Sequence, residues 1–98
     1  MDAIVIAAYQ FKVVADAAVL QAELKTLCKE QGILGTLIVA PEGINGTVSG
    51  SRTAIDILHQ YLISVGFDHM EYKESFAPEH TFKRLKIKLK KEIVTLGV

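Results

Sequence analysis

Residues 40–47 read APEGINGT, and Glu42 and Asn45 are the side chains there that could recognise something. Pro41 suits the second position of a turn, and Gly43 could supply positive φ two residues later. Asn45-Gly46 is a second turn signal, of the kind that marks a bulge at the start of a strand. These residues account for a tight hairpin. They also suit a nest of backbone N–H groups that holds an anion. Sequence alone leaves both readings open for Pro41, Glu42, Gly43, Asn45 and Gly46.

A second stretch concentrates charge. Six of the eleven Lys and Arg residues lie in KRLKIKLKK, residues 83–91: Lys83, Arg84, Lys86, Lys88, Lys90 and Lys91. The pattern alternates strictly, with Leu85, Ile87 and Leu89 expected inward and Arg84, Lys86, Lys88 and Lys90 outward. At a strand rise of ~3.3 Å per residue the outward cations lie about 6.5–7 Å apart, a spacing that suits successive phosphates of a single strand. The alternative is an edge strand guarded against aggregation by lysines. Lys73 joins the strip only if its strand lies next to this one.

The remaining reactive side chains carry less. Cys28 is the single cysteine, and Lys25 and Lys29 nearby would depress a thiol pKa. It falls, however, on the helix face of Leu20, Leu24 and Leu27, where a thiol is a small hydrophobe. His59, His69 and His80 have no second His or Cys at ligand spacing, so no metal site is expected. No catalytic residue and no cofactor is assigned to this chain. Acylphosphatase activity is not expected either, because QFKVVAD after the first strand offers neither the glycines nor the Arg of a phosphate loop.

These residues need elements to position them. Half of the 98 residues are hydrophobic, 22% are charged and the net charge is zero, the balance of one globular domain over residues 1–98. Zero net charge argues against global attraction to nucleic acid but hides the local basic strip. No apolar run reaches the ~20 residues of a membrane span, and the N-terminus lacks the pattern of a signal peptide. One cysteine permits no internal disulfide, so a reducing, cytoplasmic setting is expected.

Residues 3–11 read as a buried strand. Asp16 caps a helix carrying Leu20, Leu24, Leu27 and Cys28, which ends at Gly32. Residues 33–40 form a second strand and 44–50 a third, with Ile44 and Val48 on one face. Ser51 caps a second helix with the apolar stripe Ile55, Leu58, Leu62 and Val65, ended by Gly66. Residues 70–76 form a fourth strand, with Met70, Tyr72 and Phe76 on one face. After an APEHTF turn comes the basic strand. The order βαββαβ with an extra C-terminal strand predicts an α+β, ferredoxin-like (acylphosphatase-like) sandwich: an antiparallel sheet with two helices on one face. The apolar run at the C-terminus suggests a chain that stops at a domain boundary.

GTLIVAPEGINGTVSGS, EYKESFAPEHTFKRLKIKLKKEIVTLG and the opening IVIAAYQF together resemble the N-terminal domain of the bacterial rhodanese-related tRNA uridine hydroxylases. The likeness covers essentially the whole chain. The family forms 5-hydroxyuridine at the wobble position of certain tRNAs with molecular oxygen, and its catalytic cysteine belongs to a rhodanese domain after KKEIVTLG. Cys28 does not match that cysteine. Thr81 stands where the family is associated with a proline. The resemblance implies an accessory domain that helps bind tRNA and docks a rhodanese domain in cis, with Pro41 to Thr47 in the hairpin and Arg84 to Lys91 in the basic strand as the matching positions. The alternatives are an anion or small-molecule module built on residues 41–47 and a purely structural domain.

Overall fold

The computed structural model describes residues 3–77 and 82–93. The described chain runs β1 (Ala3–Phe11), α1 (Ala17–Gln31), β2 (Leu34–Ala40), β3 (Gly43–Gly50), α2 (Arg52–Ser64), β4 (Glu71–Ala77) and β5 (Leu85–Leu89). Both helices start where a side chain replaces missing backbone partners. Asp16 accepts from the N–H of Val19 at 3.1 Å, and the Ser51 hydroxyl accepts from Ala54 at 3.1 Å. Gly32 ends α1 in the left-handed conformation, φ 70°.

The five strands form one sheet in the order β4-β1-β3-β2-β5. The first four reproduce the expected βαββαβ pairing, all antiparallel neighbours. Alternation along each strand decides what faces the helices. Ile4 and Ile6 of β1, Leu37 and Val39 of β2, Ile44 and Val48 of β3 and Ile87 of β5 form one buried cluster with Leu20, Leu24 and Cys28 of α1 and Ile55, Leu58 and Leu62 of α2. Both helices therefore cover the same face. Tyr72 of β4 joins this layer, stacked on His59 of α2 with ring centroids 4.5 Å apart. Arg52 binds Glu74 through both of its terminal nitrogens, tying the start of α2 to β4.

Four expectations need correction. The sheet is mixed rather than antiparallel, because β5 runs parallel to β2, pairing Leu37 with Ile87. The hydrophobic alternation of β5 demands a buried face but not a direction. Either edge of the four-stranded sheet offers unpaired backbone groups, and β5 takes the β2 edge, where Gln21 of α1 donates to the Ile87 carbonyl at 2.8 Å. Lys73 on β4 is consequently at the opposite edge from the basic strand. Leu89, at the end of β5, shares the face of Ile87 but is 46% exposed, so only Leu85 and Ile87 pack against the core. Phe76 shares the face of Tyr72 but is 74% exposed. The contacts Tyr72–His59 and Glu74–Arg52 show β4 running against the direction of α2, and Phe76 falls past the first residue of that helix. Val65 leaves the α2 stripe because it lies in the turn after Ser64, beyond the helical period. The APEHTF turn, with His80 and Thr81, falls largely outside the described residues.

Candidate functional site

The hairpin between β2 and β3 is closed by Pro41 and Glu42. Its loop is zipped to the segment after β1: the Lys12 N–H donates to the Glu42 carbonyl at 2.9 Å, and the Val14 N–H to the Pro41 carbonyl at 2.8 Å. Gly43 has φ 147°, a conformation open to glycine. A Cβ on it would stand 2.1 Å from the Gln10 carbonyl oxygen. Gly46 is not in the left-handed region, yet a Cβ there would come within 2.2 Å of the Thr36 carbonyl oxygen. One glycine serves backbone conformation and close approach, the other close approach.

Glu42 and Asn45 have a common object. The Glu42 carboxylate accepts from the Ile93 N–H at 2.7 Å, and the Asn45 side-chain amide donates to the Ile93 carbonyl at 3.0 Å. Ile93 is fully buried, although it is not a member of the main core cluster. The hairpin is thus a clip that holds both backbone groups of one residue, some 50 positions along the chain, just after the basic strip. The carboxylate at the loop makes it unsuited to holding an anion. The geometry is that of the tight hairpin, and its two polar side chains hold the chain's own backbone as it leaves β5.

Lys86 and Lys88 are exposed on the side of β5 away from the helices, in register with Thr36 and Ile38 of β2. Arg84 and Lys90 continue the line at either end. The Arg84 carbonyl accepts from Gly35 at 2.8 Å and the Lys90 N–H donates to Val39 at 2.9 Å, which fixes their backbone while leaving their side chains exposed. Lys83 and Lys91 are exposed beside them. Lys86 and Lys88 therefore lie on the edge strand that the alternation predicts, and the other four cations flank it in the chain.

Cys28 lies in the core with no exposed surface, and burial pushes its thiol up to about 12. His59 is committed to Tyr72, while His69 is exposed, with Nδ1 2.8 Å from Asp68. Residue patterns could not reveal Ile93 as the object of the clip. A hydrogen bond to backbone carries no side-chain signature, and the sequence separation removes any local periodicity.

Over residues 3–93 the chain matches the family described as the UPF0176 acylphosphatase like domain. Proteins named tRNA uridine(34) hydroxylase from Acinetobacter baumannii (strain AYE) and Deinococcus radiodurans are each 60% identical to it, over 97% and 96% of this chain. The chain spans only about 30% of the length of these curated relatives. Among solved structures, an acylphosphatase from Coxiella burnetii superposes with a TM-score of 0.60 at 11% identity, over 89% of this chain and 93% of that one, a likeness of fold alone. The match along residues 3–93 and the observed architecture agree, and the chain belongs to the UPF0176 acylphosphatase-like domain family.

Proposed function

We propose that this chain is the accessory, non-catalytic N-terminal domain of a tRNA uridine(34) hydroxylase. In this reading it presents the basic edge of β5 to tRNA and holds the segment that leads to a rhodanese domain in the same polypeptide. That domain, with molecular oxygen, would supply the oxidation of the wobble uridine, and the protein would work in the cytoplasm. The observation that carries the reading is the 60% identity to proteins of that name across nearly the whole chain. The geometry supports it twice: four cations alternate along an exposed edge, and the clip at Glu42 and Asn45 grips the backbone immediately after them. Among the described residues no helix is long and apolar enough to cross a membrane.

The experiment is a titration of tRNA against the full-length protein at several salt concentrations, with Lys86, Lys88 and Lys90 changed together to Ser. Each lost phosphate contact should lower the log–log salt slope by roughly 0.7–0.9. The triple variant is expected to bind all tRNAs more weakly, with a slope shallower by two to three units. The buried side of β5 is untouched, so the fold should survive. Unchanged affinity and slope in a folded variant would reduce the strip to protection of an edge strand.

A further inference from the structure

The sheet has a second face, turned away from both helices, and its registers align side chains into rows that cross all five strands. One row runs Lys73–Ala7–Thr47–Thr36–Lys86, from β4 through β1, β3 and β2 to β5. Its floor is small and polar, and a lysine stands at each end. Four inter-strand steps of ~4.8 Å put those lysines about 19 Å apart. The next row begins with Glu71 and Tyr9 and continues through Asn45 and Ile38 to Lys88. Tyr9 packs edge-to-face against Phe11, ring centroids 5.2 Å apart, and Phe11 is 54% exposed. A groove of about 250 Å³ opens between Tyr9, Ala7, Thr47 and Lys73.

We propose that this helix-free face binds a short stretch of unpaired RNA lying across the strands. Tyr9 and Phe11 are the surface on which bases stack, and Lys73 and Lys86 are the phosphate contacts at the two ends. The proposal rests on the tRNA reading above and deepens it. The basic edge alone would hold any backbone, paired or not, whereas a sheet face presenting a half-buried Tyr9 and an exposed Phe11 suits bases that are free to splay out. Three features of the face select this occupant. The lysines bracket the row from opposite edges, so a polyanion lying along it meets positive charge at both ends. The Ala and Thr floor leaves room for flat rings beside Tyr9. Asn45 is engaged by Ile93 and Glu71 repels phosphate, which directs the backbone to the Lys73–Lys86 row rather than the row beside it.

The test is binding of the chain to single-stranded oligouridine and to a blunt RNA duplex of equal length. Tyr9→Ala and Phe11→Ala are expected to weaken oligouridine binding roughly 5- to 150-fold, the range for one base on an aromatic ring, and to leave the duplex unaffected. Tyr9→Phe should retain binding, because the ring and not the hydroxyl does the stacking. Lys73→Ser should lower the single-strand salt slope by about 0.7. The chain has no Trp, so Tyr9→Trp provides a second readout in which oligouridine should quench the new fluorescence. Quenching would support the inference even if the alanine variants fail to fold. Absence of quenching in Tyr9→Trp, or equal losses on duplex and single strand in Tyr9→Ala, would overturn it. If Lys86, Lys88 and Lys90 matter for tRNA while Tyr9 does not, the face is silent and the basic-edge reading stands. If the unmodified chain and the full-length protein bind no RNA, both fall.

Discussion

Gly43 and Gly46 show how little of a residue's reason is visible in its identity. Both belong to turn dipeptides, and turn chemistry predicts positive φ at one or other of them. Gly43 has that conformation and also lies against the Gln10 carbonyl. Gly46 is held to glycine by close approach alone, to the Thr36 carbonyl and to Leu37. The two substitutions should therefore differ in cost. Gly43→Val combines conformational strain and overpacking, each about 1–3 kcal/mol, for a loss of roughly 2–6 kcal/mol. Gly46→Ala carries the overpacking part only, about 1–3 kcal/mol. Chemical denaturation of both variants measures the difference, and equal losses would mean that the φ of Gly43 stores no strain.

At the scale of elements, the clip joins the β2–β3 hairpin to the segment leaving β5. The bond from the Ile93 N–H to a carboxylate is charge-assisted and worth ~1.5–3 kcal/mol. Glu42→Ala should accelerate hydrogen exchange of the Ile93 amide roughly 10- to 150-fold, and Asn45→Ala should loosen the same residue from its carbonyl side. Amides of β1 and β3 should keep their protection in both variants. An unaltered Ile93 rate in Glu42→Ala would show that the carboxylate does not hold this segment. The limits of sequence reasoning lie at this same scale. Every element was legible, because helix caps at Asp16 and Ser51, the stripe of α2 and the alternation of β5 are local signals. The parallel pairing of β5 with β2 was not, since alternation specifies a face and leaves edge and direction to topology. The partner of Glu42 and Asn45 was equally hidden. Their polarity marked them as binding something, but the object is a backbone 48 and 51 residues away. The crossing rows of the open face depend on strand order and could not be read before it was known.

For the whole molecule the question is where oxidation chemistry would come from. In this chain the one thiol is sealed between α1 and the sheet, with burial holding it up at about 12. At neutral pH it is protonated, so it is neither a nucleophile nor a ligand. The linkage follows from the sign of the shift. A thiol whose folded pKa exceeds its unfolded value near 9 stabilises the fold fully below pH 9, and the contribution is lost as pH rises from 9 toward 12. Tyr61 and Tyr72 are also raised, chiefly by burial, so Cys28 is one of several groups behind an alkaline decline. Cys28→Ala should thus flatten that decline without abolishing it, while lowering stability at neutral pH by about 1–2 kcal/mol through the vacated volume. On the proposed reading, the same variant in the full-length protein should hydroxylate tRNA at an essentially unchanged rate, measured at pH 7 where the fold retains most of its stability. A folded Cys28→Ala enzyme with its hydroxylation lost would place the chemistry inside this domain. It would also require the core around α1 to open during the reaction.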